Sequence, residues 1–268
     1  MTLDEFKKHA AALAKKVNDA GETHDYFRTH GNRLHQCAEM FDLFSAPLGD
    51  VLEIGPFFGY MPFILRPSST SYSVLEGDDP VVRRLDPLYQ EYSVNVSYVD
   101  LGEVFGPLRS ATHRLDFPDN SFNTILCWET MEHFNFNPVK LVREFHRVLK
   151  PGGRICVTVP NKASWQRLAV LLTGKGEDFL IDDFYKFEEY EIDGKKAFHG
   201  YHWREYSPPE LRRLFAGTGF KIQAAGSFNC FQPREKMGFL RRGARALAQA
   251  GSSMFPRHKT HVYMMATK

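Results

Sequence analysis

The chain has 268 residues, of which 43% are hydrophobic and 25% charged, and its formal net charge is +2. This composition is typical of a globular protein with one large domain, or with a domain and a cap. A charge so close to zero gives no indication of nucleic-acid binding. The four cysteines form no C-x-x-C pair, so zinc and redox motifs are unsupported and we predict no metal site.

The N-terminal segment MTLDEFKKHAAALAKK is charged and contains no apolar core of a signal peptide. No run of the sequence approaches the roughly 18 apolar residues that a transmembrane helix needs. The cysteine usage fits a reducing compartment better than secretion. We therefore expect a cytoplasmic protein without a transmembrane segment.

Two amphipathic helices precede the first strand. Apolar residues spaced three or four apart predict a helix over about residues 3–20. These residues are Leu3, Phe6, Ala10, Leu13 and Val17. A second helix is predicted from about residue 23 to residue 44. We expect residues 1–46 to form a helical cap on a main domain of residues 47–268.

From residue 50 onward, short apolar strands alternate with helices. The seven predicted strands are DVLEIG, SYSVLEG, NVSYVD, FNTILCWE, RICVTVP, KIQAAGSF and THVYMMATK. They lack regular polar alternation, as expected for a mostly parallel sheet buried on both faces. The predicted fold class is α/β, with a doubly wound, Rossmann-like sheet of seven strands and helices on both faces.

Residues 161–205 interrupt this alternation. They contain the helical run SWQRLAVLL and the acidic stretch GEDFLIDDFYKFEEYEIDG. That stretch is too aromatic for a disordered acidic tail, so we predict an ordered insert that forms a substrate-side lid. The basic segment 234–259 is interpreted as a solvated helix, and a peripheral membrane contact is the less favoured alternative.

The first strand runs into the turn VLEIGPFFGY. In an open parallel sheet, ligands bind beyond the carboxyl ends of the strands. Gly55 and Gly59 allow backbone N–H groups to approach a ligand closely. Glu76 follows about 20 residues later, where an acid can accept hydrogen bonds from a ribose. Together these features predict an adenosine-type ligand.

Three cofactor classes use a turn of this kind. A dinucleotide site requires G-x-G-x-x-G, and a phosphate-binding loop requires G-x-x-x-x-G-K-[ST]. Neither pattern occurs in the chain. S-adenosylmethionine is the remaining class. Phe57 stands in the middle of the turn, where its side chain either packs into the core or lines the pocket.

The chain resembles the class I S-adenosylmethionine-dependent methyltransferases, especially their small-substrate enzymes, over about residues 50–161 and 206–220. The matching features are the loop motif at Glu53, Gly55 and Gly59, the acid Glu76, and the stretches LDFPDNSFNTILCWETMEHF and VREFHRVLKPGGRICVTVPN. The resemblance implies that the first loop holds the methionine end of S-adenosylmethionine and that Glu76 holds its ribose.

The cofactor-binding residues can be named from the resemblance and from their position. They are Glu53, Gly55, Gly59, Tyr60, Glu76, Gly77, His113 and Trp128, together with Tyr26 and Arg33 of the second N-terminal helix. The acid that usually binds the adenine amino group is absent at Ala111 and Thr112. We expect the adenine to contact the backbone around His113 instead, or Asp116.

The resemblance implies methyl transfer, and we favour O-methylation of a small-molecule or sugar acceptor without a nucleic-acid partner. A hydroxyl acceptor needs a base, and histidine is the usual one near neutral pH. The candidates are His133, His199 and His202. N-methylation, an aminopropyl transferase on the same fold and a non-catalytic cofactor-binding protein remain alternatives. The sequence does not indicate which oligomeric state the protein adopts.

Overall fold

One large sheet forms the core of the protein in a computed structural model, which describes residues 1–17, 22–107, 109, 111–172, 174, 191–192, 195–196, 202–230 and 255–268. Its strands are β1 (Gly49–Ile54), β2 (Ser69–Glu76), β3 (Asn95–Tyr98), β4 (Phe122–Trp128), β5 (Leu149–Pro160), β6 (Lys221–Phe228) and β7 (His261–Thr267). The strand order is β3-β2-β1-β4-β5-β7-β6, and β7 is antiparallel to both of its neighbours. The predicted α/β fold class, a mostly parallel sheet of seven strands, is confirmed.

Helices cover both faces of this sheet. They are α1 (Leu3–Lys16), α2 (Glu22–Met40), α3 (Met61–Leu65), α4 (Asp86–Glu91), α5 (Leu101–Phe105), α6 (Pro138–Val148), α7 (Trp165–Leu172) and α8 (Pro208–Ala216). α2 ends at Met40, before the predicted end at Phe44. The reason is Asp42, whose left-handed backbone, with φ 53°, cannot continue an α-helix.

Successive residues of the strands contribute to different apolar clusters. In β1, Val51 belongs to one cluster, whereas Leu52 and Ile54 belong to the other. Neighbouring side chains of a strand point to opposite faces of the sheet. Both faces are therefore apolar, which explains why the strand sequences show no regular alternation with polar residues.

The N-terminal helices cover the first face. α1 begins with a capping box, in which Thr2 donates its N–H to Glu5 at 2.7 Å and accepts the N–H of Glu5 at 3.3 Å. α1 and α2 share one buried cluster with the strands, which includes Phe6, Leu13, Leu34, Ala38, Val51, Tyr72 and Leu126. The division of the chain into a cap of residues 1–46 and a main domain stays a prediction.

The opposite face is covered mainly by α6 and α8. Asn137 caps α6 by accepting the N–H of Val139 at 3.0 Å. Ser207 is the N-cap of α8, and Glu210 accepts its backbone N–H at 2.9 Å. The two helices bury Leu141, Val142, Phe145, Val148, Leu211 and Phe215.

β5 is longer than predicted. The sequence suggests a start at Arg154, after the turn KPGG, but the strand begins at Leu149. Leu149 pairs with Phe122 of β4 ahead of an irregularity in the register. Gly152 has a φ of 76°, which other residues rarely adopt, so it allows the chain to bend at this point.

Much of the predicted insert lies outside the described residues, as does most of the basic segment 234–259. Within the insert, α7 is confirmed as a helix. Glu191–Ile192 pairs antiparallel with Lys195–Lys196 in a separate small sheet. The role of residues 161–205 as a substrate-side lid stays a prediction.

The carboxyl ends of the parallel strands meet at one edge of the sheet, here called the carboxyl edge. Residues paired near this edge are Ile54 with Leu75 and Cys127, Trp128 with Thr158, and Pro160 with His261. Because β7 is antiparallel, it begins where its neighbours end. The turns after the parallel strands and the start of β7 therefore converge where ligands bind in such sheets.

Among the described residues, no helix has both the length and the apolar character that crossing a bilayer requires. All four cysteines are free thiols, and Cys37, Cys127 and Cys156 are buried. Cys127 and Cys156 belong to the apolar clusters, where a thiol packs as a small hydrophobic side chain.

Glu53 is a buried acid near the carboxyl end of β1, with 3% of its surface exposed. Tyr72 of β2 donates its hydroxyl hydrogen to Glu53 Oε2 at 2.7 Å. Burial raises the pKa of Glu53 to about 8, although the bond from Tyr72 opposes this shift. At neutral pH, the side chain is therefore mostly a neutral acid. Its contact with the cofactor stays a prediction.

Glu53→Gln is expected to remove a pH dependence of folding stability. The folded-state pKa of Glu53, about 8, lies above its ordinary value of 4.5. The stabilising contribution is therefore full below pH 4.5 and is lost as the pH rises to 8, in total on the order of 5 kcal/mol. Urea unfolding from pH 4.5 to 8.5 measures the difference between the proteins.

The Glu53→Gln protein gains stability relative to the wild type steadily across that range, because its amide does not ionise. Tyr72→Phe serves as a second variant, which keeps the acid and removes its hydroxyl partner. Parallel stability curves for the wild type and Glu53→Gln would show that the acid does not titrate in this way.

Candidate active site

The turn after β1 is held against the turn after β4. Gly55 has a φ of 60°, and a Cβ at this position would lie 2.7 Å from Thr130 Cγ2. Thr130 Oγ1 donates a hydrogen bond to Ile54 O at 3.0 Å. Only glycine fits such an approach without strain. Gly59 differs, because a Cβ there would make an ordinary contact of 3.5 Å with Leu34.

The backbone N–H and the side-chain ring of Phe57 contact different parts of the protein. Its φ is 48°, and its N–H donates to Glu76 Oε2 at 2.9 Å. Its ring is partly buried and lies 4.4 Å from the ring of Phe58 and 5.0 Å from that of Tyr26. Of the two predicted alternatives, these contacts favour packing against the apolar cluster. The turn therefore accommodates Phe57 while its N–H reaches the acid of β2.

Glu76 ends β2 at the carboxyl edge and is buried, with 8% exposed. It accepts N–H groups from Phe57 and from Gly77, the latter at 3.1 Å. Burial raises the pKa of Glu76 to about 7, against the lowering effect of these two bonds. A carboxylate has about four acceptor positions. Glu76 thus retains capacity for the two hydroxyls of a ribose.

α2 lies across this turn. The ring of Tyr26 is 4.5 Å from that of His30 and packs on Phe57. Further along the helix, Arg33 Nη1 lies 3.4 Å from Glu129 Oε2. The structure therefore brings both predicted residues of α2, Tyr26 and Arg33, to the carboxyl edge.

Glu129 follows β4 directly and forms a buried ion-pair network. His261 Nε2 approaches Glu129 Oε2 to 3.4 Å, on the same oxygen that Arg33 contacts. Burial would raise the pKa of Glu129, but Arg33 and then His261 hold it below its usual range. Sequence reasoning missed both Glu129 and His261 as site residues. The signal for Glu129 was its place after β4, whereas His261 required knowing that β7 is antiparallel.

Two predicted cofactor residues lie in the apolar core. Trp128 stacks on Phe41, with ring centroids 6.0 Å apart and an interplanar angle of 23°. Tyr60, with φ 56°, is fully buried and packs beside Phe27 and Phe63. These positions give both rings a packing role. Their contact with the cofactor stays a prediction.

His113 and Gly77 take more open positions. His113 has a φ of 52° and donates its N–H to Val104 O at 3.0 Å, next to α5. Its Nε2 lies 2.7 Å from Lys140 Nζ of α6. Gly77 is exposed and directly follows Glu76. The predicted adenine contact near His113 stays a prediction.

Two of the predicted catalytic histidines come together. The rings of His133 and His202 lie 5.0 Å apart at an angle of 75°. Glu132, His133 and His202 form the Glu132 cluster, in which one ligand atom of each lies within 4.8 Å of the others. The third candidate, His199, lies outside the described residues.

Backbone hydrogen bonds hold this cluster together. The N–H groups of Trp203 and Arg204 both donate to the carbonyl oxygen of Glu132, at 2.7 and 3.2 Å. His202 Nδ1 lies 3.1 Å from Glu205 Oε1, and Glu205 also pairs with Arg167. The loop before α8 is thus fixed to the turn after β4.

Glu132 lies in a strongly acidic environment. It is 1% exposed, and among the described residues its Oε2 has no hydrogen-bond partner. Burial, and then the charge of Glu129, raise the pKa of Glu132 well above its usual range. The cluster therefore combines two imidazoles with an acid whose ionised form is unfavourable in this environment.

The carboxyl edge lies within a stretch of the chain that matches a known protein family. Residues 12–225 match the family described as a methyltransferase domain. The chain belongs to this methyltransferase family. It contains an enzyme domain of the class I S-adenosylmethionine-dependent methyltransferases, and the cofactor of that domain is S-adenosylmethionine, as predicted.

A probable S-adenosylmethionine-dependent methyltransferase from Mycolicibacterium smegmatis is 25% identical over 213 residues, which are 78% of this chain and 64% of that protein. The chain spans less than two thirds of the length of the curated relatives it matches.

An Archaeoglobus fulgidus SAM-dependent methyltransferase structure is 14% identical, with a TM-score of 0.56 over 90% of this chain and 95% of that one. The [4+2]-cyclase SpnF is 16% identical, with a TM-score of 0.53 over 88% and 80%. At these identities, both structures show the fold alone.

The described residues fit the adenosine part of this methyltransferase's cofactor. Gly55 keeps the backbone open beside β1, and the carboxylate of Glu76 has acceptor positions left over. The assignment of single residues to the ribose, the adenine and the methionine end stays a prediction.

The binding of S-adenosylhomocysteine, the demethylated product, is expected to weaken below about pH 7. Ribose hydroxyls donate to the ionised form of Glu76, and burial raises the pKa of that acid to about 7. Affinity should therefore fall towards tenfold per pH unit on the acid side and level off on the alkaline side. Calorimetry between pH 5.5 and 8.5 measures this profile.

Glu76→Gln should bind the product more weakly and with a flat profile. Asp78→Asn, which changes an exposed acid two residues away, should keep the profile of the wild type. Affinity independent of pH in the wild type would contradict the assignment of Glu76 to the ribose.

Arg33→Met is expected to lower the free energy of unfolding by about 3–5 kcal/mol, because it leaves the buried Glu129 without its main partner. Adding Glu129→Gln should recover much of this loss. Lys8→Met, at an exposed position of α1, should change stability by less than about 1 kcal/mol. Chemical denaturation at pH 7.5 measures these proteins, the wild type and the single variant Glu129→Gln, which the comparison of the two substitutions requires. Additive effects of the two substitutions would contradict a direct interaction.

Proposed function

We propose that this protein transfers the methyl group of S-adenosylmethionine to a hydroxyl of a small-molecule or sugar acceptor. The observation that supports this proposal is the Glu132 cluster. Its members Glu132 and His133 follow β4 within a few residues, and Thr130 of the same turn lies against the cofactor turn at Ile54 and Gly55. A proton-accepting group next to the cofactor is what a hydroxyl acceptor requires.

The chemistry of the step explains this requirement. S-adenosylmethionine, when bound, supplies a methyl group activated by its positive sulfur. The acceptor oxygen forms a bond to the methyl carbon while the carbon–sulfur bond breaks, and the sulfur leaves as a neutral thioether. The hydroxyl proton must also leave, and it passes through the Glu132 cluster to solvent. The protein mainly holds the two reactants in line, about 3–3.5 Å apart.

His202 is best supported as the group that accepts this proton in the metal-free protein. Its Nδ1 is bonded to Glu205, which leaves Nε2 with the lone pair. Glu205 would stabilise the imidazolium that forms. His133 faces the same space from the other side of the cluster. A neutral amine acceptor would not need this arrangement, which favours O-methylation over N-methylation.

The broader organisation belongs to the same proposal. Residues 1–46 act as a helical cap that closes over the cofactor through Tyr26 and Arg33. Residues 161–205 form the lid on the acceptor side. The acceptor is a small molecule, not a nucleic acid, and the protein works in the cytoplasm, where free thiols are stable.

His202→Ala and His133→Ala are expected to lower kcat for methyl transfer by about 10²–10⁴-fold. The affinity for S-adenosylhomocysteine should stay within about threefold, because neither ring lies at the cofactor turn. His9→Ala, on the exposed side of α1, is the control. Release of S-adenosylhomocysteine measures turnover with matched panels of hydroxyl and amine compounds.

Turnover with amines only, or full turnover by both histidine variants, would contradict O-methylation by this cluster. Absence of S-adenosylhomocysteine binding would contradict the cofactor assignment itself. Conversion of the cofactor without a methylated product would favour the aminopropyl transferase or another non-methylating activity.

A further inference from the structure

The Glu132 cluster has the composition of a metal site. One atom each of Glu132, His133 and His202 lies within 4.8 Å of the other two. In a tetrahedral site with bonds of about 2.0–2.2 Å, two ligand atoms lie roughly 3.3–3.6 Å apart. A contraction of at most about 1.5 Å, which side-chain rotations can supply, would therefore bring the three groups onto one ion.

The cluster is prearranged by the fold. Glu132 and His133 are consecutive residues of the turn after β4, and His202 belongs to the loop before α8. The hydrogen bonds from Trp203 and Arg204 to the carbonyl oxygen of Glu132 fix that loop on the turn. The proximity of the three side chains thus follows from the backbone and does not depend on flexible surface chains.

His202 has the kind of hydrogen-bond partner that metal-bound histidines usually have. Its Nδ1 bonds to the carboxylate of Glu205 at 3.1 Å. An outer carboxylate of this kind fixes the tautomer and leaves Nε2 as the nitrogen whose lone pair can bind an ion. Glu205 is itself held by an ion pair with Arg167.

The charge balance also favours a cation. Glu132 is almost completely buried, and its Oε2 lacks a hydrogen-bond partner among the described residues. Within the same part of the chain, no lysine or arginine forms an ion pair with it. Ionising a buried acid without compensating charge is strongly unfavourable. A bound cation would supply that charge and stabilise the ionised form of Glu132.

We propose that Glu132, His133 and His202 bind one divalent first-row transition ion, such as Zn²⁺ or Mn²⁺, and that the acceptor hydroxyl occupies an open position on this ion. Imidazole ligands favour such ions over Mg²⁺. Three protein ligands leave at least one position free. This metal site differs from the expectation of no metal site, which rested on cysteine spacing alone.

The catalytic consequence rests on the proposed O-methylation. A hydroxyl bound to a divalent ion has a lowered pKa, so its proton can leave to water at neutral pH. The oxygen then forms the bond to the methyl carbon as the carbon–sulfur bond breaks. With an ion bound, the lone pairs of His133 and His202 lie on the metal. The two histidines then act as ligands and not as bases.

Metal binding can be measured without any acceptor. Tag-free full-length protein is treated with a chelator, dialysed and titrated with Zn²⁺ or Mn²⁺ by calorimetry. We expect one ion per chain. His133→Ala, His202→Ala and Glu132→Gln should each weaken binding at least tenfold. His9→Ala should bind as the wild type does, and S-adenosylhomocysteine binding checks that every variant is folded.

Unchanged affinity in the His133 and His202 variants, or no ion bound by the wild type, would overturn the metal site. If Glu132→Gln fails to fold, the two histidine variants carry the test. Metal binding without methyl transfer to any hydroxyl compound would contradict the proposed function and support the site. Undiminished O-methylation by the chelator-treated protein would overturn the catalytic role of the ion and leave O-methylation in place.

Discussion

The carboxyl edge of this protein depends on one buried carboxylate, that of Glu129. It lies 3.4 Å from Arg33 of α2 and 3.4 Å from His261 of β7. A carboxylate in the interior is strongly unfavourable unless opposite charge surrounds it. The buried Glu129 therefore depends on the charge of Arg33 from α2, whereas His261 of β7, whose own pKa burial lowers, adds a polar contact. One side chain thus joins the N-terminal helices, the middle of the sheet and its closing strand.

The same residue divides the edge into two electrostatic regions. On the side of α2, Arg33 and the ring of Tyr26 adjoin the turn that carries Gly55 and Phe57. On the other side, Glu132 receives no comparable compensation, and the charge of Glu129 raises its pKa. The two halves of the proposed reaction therefore meet at a short turn after β4. The first half concerns the cofactor and the second concerns the acceptor.

The sequence predicted the sheet correctly because its strands are apolar on both faces and its helices are amphipathic. Glu76 and Gly55 could be placed at the carboxyl edge because their positions depend on short spacing along the chain. The proximity of the residues in the Glu132 cluster could not be predicted, because His202 lies far from Glu132 in sequence. The two residues meet only because backbone hydrogen bonds join the turn after β4 to the loop before α8. His261 was missed for a related reason, because its position depends on strand direction.

The position of β7 in the sheet has a consequence for how the chain folds. β7 lies between β5 and β6, although both are earlier in the sequence. Until β7 inserts, β5 and β6 each present a row of unpaired backbone groups that can pair with another chain. A polypeptide cut before residue 261 would thus keep most of its helices and strands. Its characteristic failure would be edge-to-edge association of these two strands.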